Sequence, residues 1–381
     1  MPGIPCSPAG ALPWARHKLI MRRVSAALAF LAALACSPAM AQNADWKADW
    51  DRTVAAARQE GTLIVSGPSG SIWRDQLMEF QKAYPGIKLS ITPFASRDFW
   101  PRVIKEREAG QYLWDIRIGG VDTPSYNLKN QGALLAVRPL LVLPEVVDES
   151  KWIGGLDGMF LDHEKTYLPT FVAANTQSDY YNKTKITDAS DLTIKNLIDP
   201  KWAGKISMAD PRAGSSLNTL TVIDMVYGDD FITKLMVNQR PVITKEPRQQ
   251  LDWLSSGRYP IAFGLPSAAL VEYGQRGGRI DDFAKIPGLS LWSPGVGGIQ
   301  IPTRIPHPNA TKVFVNWLLT RDVQARLMPA VQLNSRRNDV PLGAPDQALD
   351  MDHIKDYIGT QIEDLQSYSL KVTEILRKTT P

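Results

Sequence analysis

Between Glu60 and Ile118 short apolar runs alternate with amphipathic stretches, and this alternation restricts the fold more than any other feature of the chain. A helix over Asp45–Glu60 places Trp46, Trp50, Val54 and Ala57 on one face, and Gly61 stops it. Thr62-Leu63-Ile64-Val65 then reads as a strand, and Ser66-Gly67-Pro68-Ser69-Gly70-Ser71 as the loop that follows. The next helix carries Trp73, Leu77, Phe80 and Tyr84 along one stripe, which predicts a core position for Trp73. Pro85-Gly86 ends it, Ile87–Thr92 alternates as a strand, and a helix near Asp98–Ala109 precedes a strand at Trp114–Ile118. A β-α-β-α-β opening predicts an α/β fold whose mostly parallel sheet is covered by helices on both faces.

Further along, Tyr167–Asn182 is extended in character, and the turn-rich Asp199–Lys205 leads into a strand at Ile206–Met208. A helix from about Ser216 to Tyr227, a strand at Tyr259–Phe263 and a Gly- and Pro-punctuated stretch over Ser290–Pro302 come next. Helices over Asn309–Thr320 and Asp322–Met328 and a terminal helix over Asp352–Arg377 complete the prediction. No internal repeat or low-complexity linker interrupts the pattern.

The chain has 381 residues and a formal charge of +4, which by itself would suit a polyanionic partner. The location of the charge removes that implication. Residues 1–41 hold Arg16, Lys18, Arg22 and Arg23 and no acidic residue, so the remainder balances 39 basic against 39 acidic side chains. A nucleic-acid partner is therefore not expected. Met21-Arg22-Arg23, the apolar run Val24–Ala35 and Ala39-Met40-Ala41 match a cleavable export signal ending at Ala41/Gln42, with Met21 as a candidate start. The run is too short for a permanent span, which takes roughly 20 residues. Ala33-Leu34-Ala35-Cys36 approximates a lipoprotein box, although a larger aliphatic residue is expected where Ala33 stands. Periplasmic localisation follows. Both cysteines, Cys6 and Cys36, precede Gln42, so the exported chain relies on its core alone.

Chemistry-bearing patterns are sparse. The exported part holds His163, His307 and His353, none of them three or four residues from another, and no cysteine, so no metal site or metal cofactor is expected. No G-x-S-x-G elbow, P-loop or dinucleotide fingerprint occurs, and an enzyme is not expected. Ligand capture fits better. Ser69, Gly70 and Ser71 join a strand to a helix N-terminus, where free N–H groups and the helix dipole favour an anion. The loop Asp210–Ser216 repeats the design, with Arg212, Ser215 and Ser216 as candidate contacts. Tyr126, Tyr181 and Phe263 near predicted loops are candidate pocket walls.

In this order the segments resemble a family. Phe80-Gln81-Lys82-Ala83-Tyr84-Pro85-Gly86-Ile87, Glu108-Ala109-Gly110 and Tyr181-Asn182 are similar to stretches of periplasmic solute-binding proteins of bacterial ABC importers. So are Leu197–Ile206, with its D-P-K-W-x-G-K-I run, Asp210-Pro211, Ser256–Ala262 and Pro308–Lys312. The group includes ferric-iron, thiamine, polyamine and phosphonate binders. The resemblance implies a type II two-lobed fold: residues 42–172 with 290–345 as lobe 1, 173–289 as lobe 2, two crossover strands between them, and 346–381 as a C-terminal helical segment. It further implies a monomer that holds a small-molecule solute in the interlobe cleft, closes by hinge motion, and hands the solute to an inner-membrane permease without catalysing a reaction. Ferric-iron members carry adjacent tyrosines after the segment matching Ser256–Ala262, where this chain reads Phe263-Gly264-Leu265-Pro266-Ser267. A small organic anion is accordingly the expected ligand, with ferric iron or an iron chelate held by tyrosine oxygens as the alternative.

Overall fold

The computed structural model describes residues 38–94, 96–175, 179–188, 192–212, 214–265, 280–282 and 290–380, without the side chains of 38–45, 96–97, 214–215 and 281–282. The expected export signal lies outside the described residues as far as residue 37. Two units are distinguished, Met1–Arg52 and Thr53–Pro381. The described part of the first is the opening of helix α1 (Pro38–Glu60), where Lys47 pairs with Asp51 at 2.8 Å.

In the second unit, β1 (Thr62–Gly67), α2 (Ser71–Ala83), β2 (Lys88–Pro93), α3 (Ser96–Glu108), β3 (Ile116–Gly119) and α4 (Thr123–Asn130) follow the predicted alternation. β1 pairs in parallel with β2 and with β3. All four residues of β3 are buried, as a central strand covered on both faces requires. Leu77 and Phe80 are the buried residues of α2, and Phe80 meets Phe314 and Trp317 edge-on at 5.0 and 5.3 Å. Phe314 and Trp317 belong to α9 (Pro308–Leu318), which lies beyond α5 (Pro144–Val147), α6 (Gly214–Tyr227), α7 (Asp229–Val237) and α8 (Pro247–Ser256) in the chain.

The second sheet has the order β7-β6-β8-β5-β9, from β5 (Tyr180–Asn182), β6 (Ile206–Ala209), β7 (Val242–Thr244), β8 (Ile261–Phe263) and β9 (Ile280–Asp282). It is parallel across β7-β6-β8, while β5 runs antiparallel to both β8 and β9. A three-stranded sheet joins β4 (Ala174–Asn175), β10 (Ser290–Ser293) and β12 (Tyr357–Gly359). Its β4 and β10 lead into and out of the second sheet, as the two expected crossover strands do. β11 (Gly298–Gln300) returns the chain to the first sheet, antiparallel to β3. α10 (Arg321–Val331) and α11 (Leu365–Thr379) are the last helices.

The C-terminal stretch departs from the predicted single helix. Met351–Asp356 is a run of 3-10 turns, Tyr357–Gly359 pairs in parallel with β10, and α-helix starts only at Leu365. The residues Tyr357-Ile358-Gly359-Thr360 explain it, since an aromatic, two β-branched residues and a glycine favour a strand over a helix interior. α11 then adds Val372 and Leu376 to a core with Leu220, Ile223, Phe231 and Phe263.

On α6, Asp224 is 1% exposed and its carboxyl group lies near that of Asp229. Burial, reinforced by the nearby Asp229 carboxylate, pushes its pKa up to about 6 from 3.8. The native state thus keeps this proton to higher pH than the unfolded chain, and stability falls as pH rises between those values. Asp224→Asn is expected to flatten that fall and to stabilise the protein by about 1–3 kcal/mol at pH 7.5. Urea titrations of both proteins at pH 4.5 and 7.5 check it; an unchanged pH slope would refute it.

Candidate functional site

β1, β2 and β3 all end at one edge of the first sheet, and a cavity of about 590 Å³ opens there. Open α/β sheets bind ligands outside their strands' carboxyl ends. Pro68 and Ser69 after β1, Phe94 after β2, Gly119 at the end of β3 and Gly120–Asp122 after it line the cavity, with Trp73 from α2 as an aromatic wall. Asn218 of α6 borders it from the second sheet's side, and Val296 and Gln361 complete the rim. Gln361 is held in place by accepting from Val121 N at 2.8 Å and donating to Gly295 O at 3.3 Å.

Among the described residues Arg117 is the one cationic side chain in the lining. It stands in β3 between Ile116 and Ile118 and is 2% exposed. Its Nη1 donates to Ser66 Oγ and Phe94 O, both at 3.3 Å, and the guanidinium stacks 5.0 Å from the Phe99 ring centre. Gly119 leaves it room: a Cβ there would stand 2.7 Å from Nη2. Burial lowers the pKa of Arg117, and the Asp122 carboxylate works against that shift. Two residues before it, Asp115 is fully buried and accepts from Ile64 N, His307 N and His307 Nδ1, each at 2.8 Å. Strand alternation puts Asp115 and Arg117 on one face, and both are tied into the framework by hydrogen bonds.

The sequence candidates separate. Ser69 borders the cavity; Gly70 and Ser71 are its exposed neighbours at the start of α2, Gly70 with φ 112°. Trp73 was expected in the core but is half-buried at the cavity, because it lies in the first turn of α2, beyond the part of the stripe that α9 covers. Tyr126 is 2% exposed and donates to Gln361 O at 2.6 Å and Leu161 O at 3.3 Å; it packs with Phe99, Trp100 and Trp114 and does not line the cavity. Tyr181 and Phe263 are in the second core, on the paired strands β5 and β8.

Arg212 is gripped by its own loop, Nε and Nη2 donating to Asp210 Oδ1 and Oδ2 at 2.8 and 2.7 Å, and it is not in the cavity lining. Ser215 lies in the first turn of α6, and its side chain is outside the description. Ser216 is buried, with Oγ unpartnered, against Gly264. Gly264 adopts φ +69°, donates to Asp179 Oδ1 at 2.9 Å, and any Cβ would overlap Ser216 Oγ. Gly264→Ala is expected to cost about 2–4 kcal/mol through overpacking and the left-handed backbone, read as a lowered Tm. A variant as stable as the parent would show that the α6 start yields freely.

The residues that sequence reasoning missed are Arg117, Phe94, Asp122, Asn218, Val296 and Gln361. Arg117 carried a signal, a permanent cation in the buried strand segment Trp-Asp-Ile-Arg-Ile over residues 114–118, where only a functional or paired charge belongs.

Solved structures of similar architecture include the ferric binding protein from Campylobacter jejuni, 17% identical with a TM-score of 0.61 over 84% of this chain and 99% of that one. Trichodesmium IdiA (FutA) in complex with iron and citrate is 15% identical with a TM-score of 0.63, over 84% and 99%. AfuA from Actinobacillus pleuropneumoniae with fructose-6-phosphate bound is 16% identical with a TM-score of 0.55, over 84% and 98%. At these identities the likeness establishes the type II two-lobed binding-protein fold. Among curated protein sequences none matches. The model of the family "Bacterial extracellular solute-binding protein" matches residues 66–325, and the chain belongs to that family, the solute-capturing components of ABC importers.

Proposed function

We propose that this protein captures a small organic anion, carrying a phosphate or carboxylate group, in the periplasm and delivers it to an inner-membrane ABC permease. It acts as a monomer, after cleavage of the export signal near Ala41/Gln42, and catalyses no reaction. Arg117 carries the reading: a buried guanidinium, anchored through Nη1 on Ser66 and Phe94, borders a cavity of about 590 Å³ and gives it a permanent positive charge of the kind that favours phosphate and carboxylate groups. Ser69 and the adjoining start of α2 add a hydroxyl, and Trp73 and Phe94 supply apolar walls for the rest of the solute.

Iron is the other cargo to weigh, since two of the similar structures above are named as iron binders. In this chain Tyr126 is poorly suited to it. Burial first, then Glu363, Asp162, Asp364 and Asp122, push its pKa up, so a tyrosinate is disfavoured and the hydroxyl is already spent on two carbonyls. Among the described residues no group of three His, Cys, Asp or Glu side chains is placed to hold a metal ion.

A thermal-shift panel of organic phosphates, phosphonates, carboxylates, amines and Fe³⁺, with and without citrate, tests the proposal. Ligand at a hundred times its Kd adds about 2.7 kcal/mol to stability. Stabilisation by anions supports it. Stabilisation by Fe³⁺ alone, with a visible charge-transfer band, would replace it with iron capture.

A further inference from the structure

The chain between β12 and α11 is tied down on both sides of the molecule and has no slack between the ties. We propose that residues 357–366 form a strap that fixes how far the two lobes stand apart before any solute arrives, with Glu363 as its anchor. This rests on the capture reading above, because hinge motion is what the strap governs.

One end is tied to the first sheet's side. Glu363 N donates to Leu161 O at 3.0 Å, and the Glu363 carboxylate takes Lys129 Nζ of α4 at 2.7 Å and His163 N at 2.9 Å. The Lys129 and Glu363 side chains are 3% and 11% exposed, so solvent and salt do little to loosen the pair. Tyr126 OH donates to Gln361 O, and Thr123 Oγ1 to Gln366 Oε1, both at 2.6 Å. The Gln361 amide, on the cavity rim, joins Val121 N to Gly295 O. The other end is buried on the second sheet's side. Leu365 is 2% exposed and packs with Val222 of α6 and Leu291 of β10, and α11 then carries Val372 and Leu376 into the second core. Only Asp364 separates Glu363 from Leu365, and two residues of extended chain reach no further than about 7 Å. A hinge of two strands bends by changing a few dihedrals, but a third connection fixed at both ends resists that bend. To swing away, the second core has to break the Glu363 anchor, pull Leu365 out of its cluster, or drag Gln361 and the Val121 loop with it. The first two lose buried contacts, and the third reshapes the cavity rim.

Electron–electron distance measurements between spin labels test this with no solute present, so a failed anion assignment leaves the outcome untouched. Cys6→Ser and Cys36→Ser free the full chain of cysteine. Labels then go on Ile104→Cys of α3 and Val237→Cys of α7, both exposed positions. The parent is expected to give one narrow distance population. Glu363→Gln keeps an acceptor for His163 N and leaves Lys129 paired with Glu164 at 2.6 Å. It should shift the balance toward longer distances about ten-fold, the effect of losing one charge-assisted bond. Leu365→Ala frees the other end of the strap and should do the same, which guards against a local defect in the first variant. A label pair confined to the first sheet's side, Ile104→Cys with Val147→Cys, should not move in either variant. The strap is overturned if both variants keep the parent distribution, or if the parent is already spread as widely as they are. It is overturned equally if the confined pair widens too, since the variants would then have loosened the fold and not the hinge.

Discussion

Arg117→Met is expected to abolish capture of anionic solutes, weakening binding at least a hundred-fold, about 2.7 kcal/mol, with folding intact. A guanidinium that meets an anion in a desolvated cleft makes charge-assisted bonds that water does not match, so removing it removes most of the binding energy. Methionine follows the path of the arginine stem and can still pack on Phe99, 5.0 Å from the present guanidinium. Because Met leaves Ser66 Oγ, Phe94 O and the Asp122 carboxylate without the guanidinium, Tm should fall modestly while the fold persists. Arg117→Lys should fall between the two, retaining the charge but losing the fork. Calorimetric titration with the tightest anion from the panel decides it, and parent-like affinity in Arg117→Met would move the anion elsewhere in the cleft.

The largest expected loss of stability is at Asp115. Its carboxylate takes Ile64 N, His307 N and His307 Nδ1, which ties β1 to the entry of α9 through a side chain with no exposure. Burial raises its pKa in spite of those bonds. Asp115→Ala leaves buried donors without acceptors, and the expected cost is about 3–5 kcal/mol. Asp115→Asn retains one acceptor oxygen and should lose roughly half of that. Urea denaturation with an unchanged m-value is the measurement; a loss below about 1 kcal/mol in the alanine variant would mean that water replaces the carboxylate.

Much of the fold was readable because its elements are locally consistent. The alternation from Thr62 to Ile118 predicted β1 to β3 and the helices between them. What failed has a common cause. Tyr126 lies within α4, Tyr181 at the centre of β5 and Phe263 at the end of β8, and such short elements carry no sign of which of their sides the core occupies; all three are buried. Arg212 had the right chemistry in the right loop, but Asp210, two residues away, is closer than any solute and neutralises it. Arg117 is the opposite case: its charge sits inside a strand, away from the glycine-rich loops, and alternation alone does not say which face of β3 borders a cavity. The loop reading did place Ser69 at the cavity. Glycine-rich turns marked the cavity's rim, and the misfit charge marked its floor.

The last helix also fixes when the protein can become finished. Val372 and Leu376 of α11 fill the second core, β12 just before it closes the crossover sheet, and Gln300 reaches Gly119 across 181 residues of sequence. Contacts between such distant residues return nothing until long loops have closed, so folding of this topology is slow, and the emerging chain has neither core complete until its final stretch has been made. For a polypeptide exported in the unfolded state that delay is an advantage. On the export reading, the translocation machinery meets an uncommitted chain, and the same late contacts that hold the mature protein together are first made on the far side of the membrane.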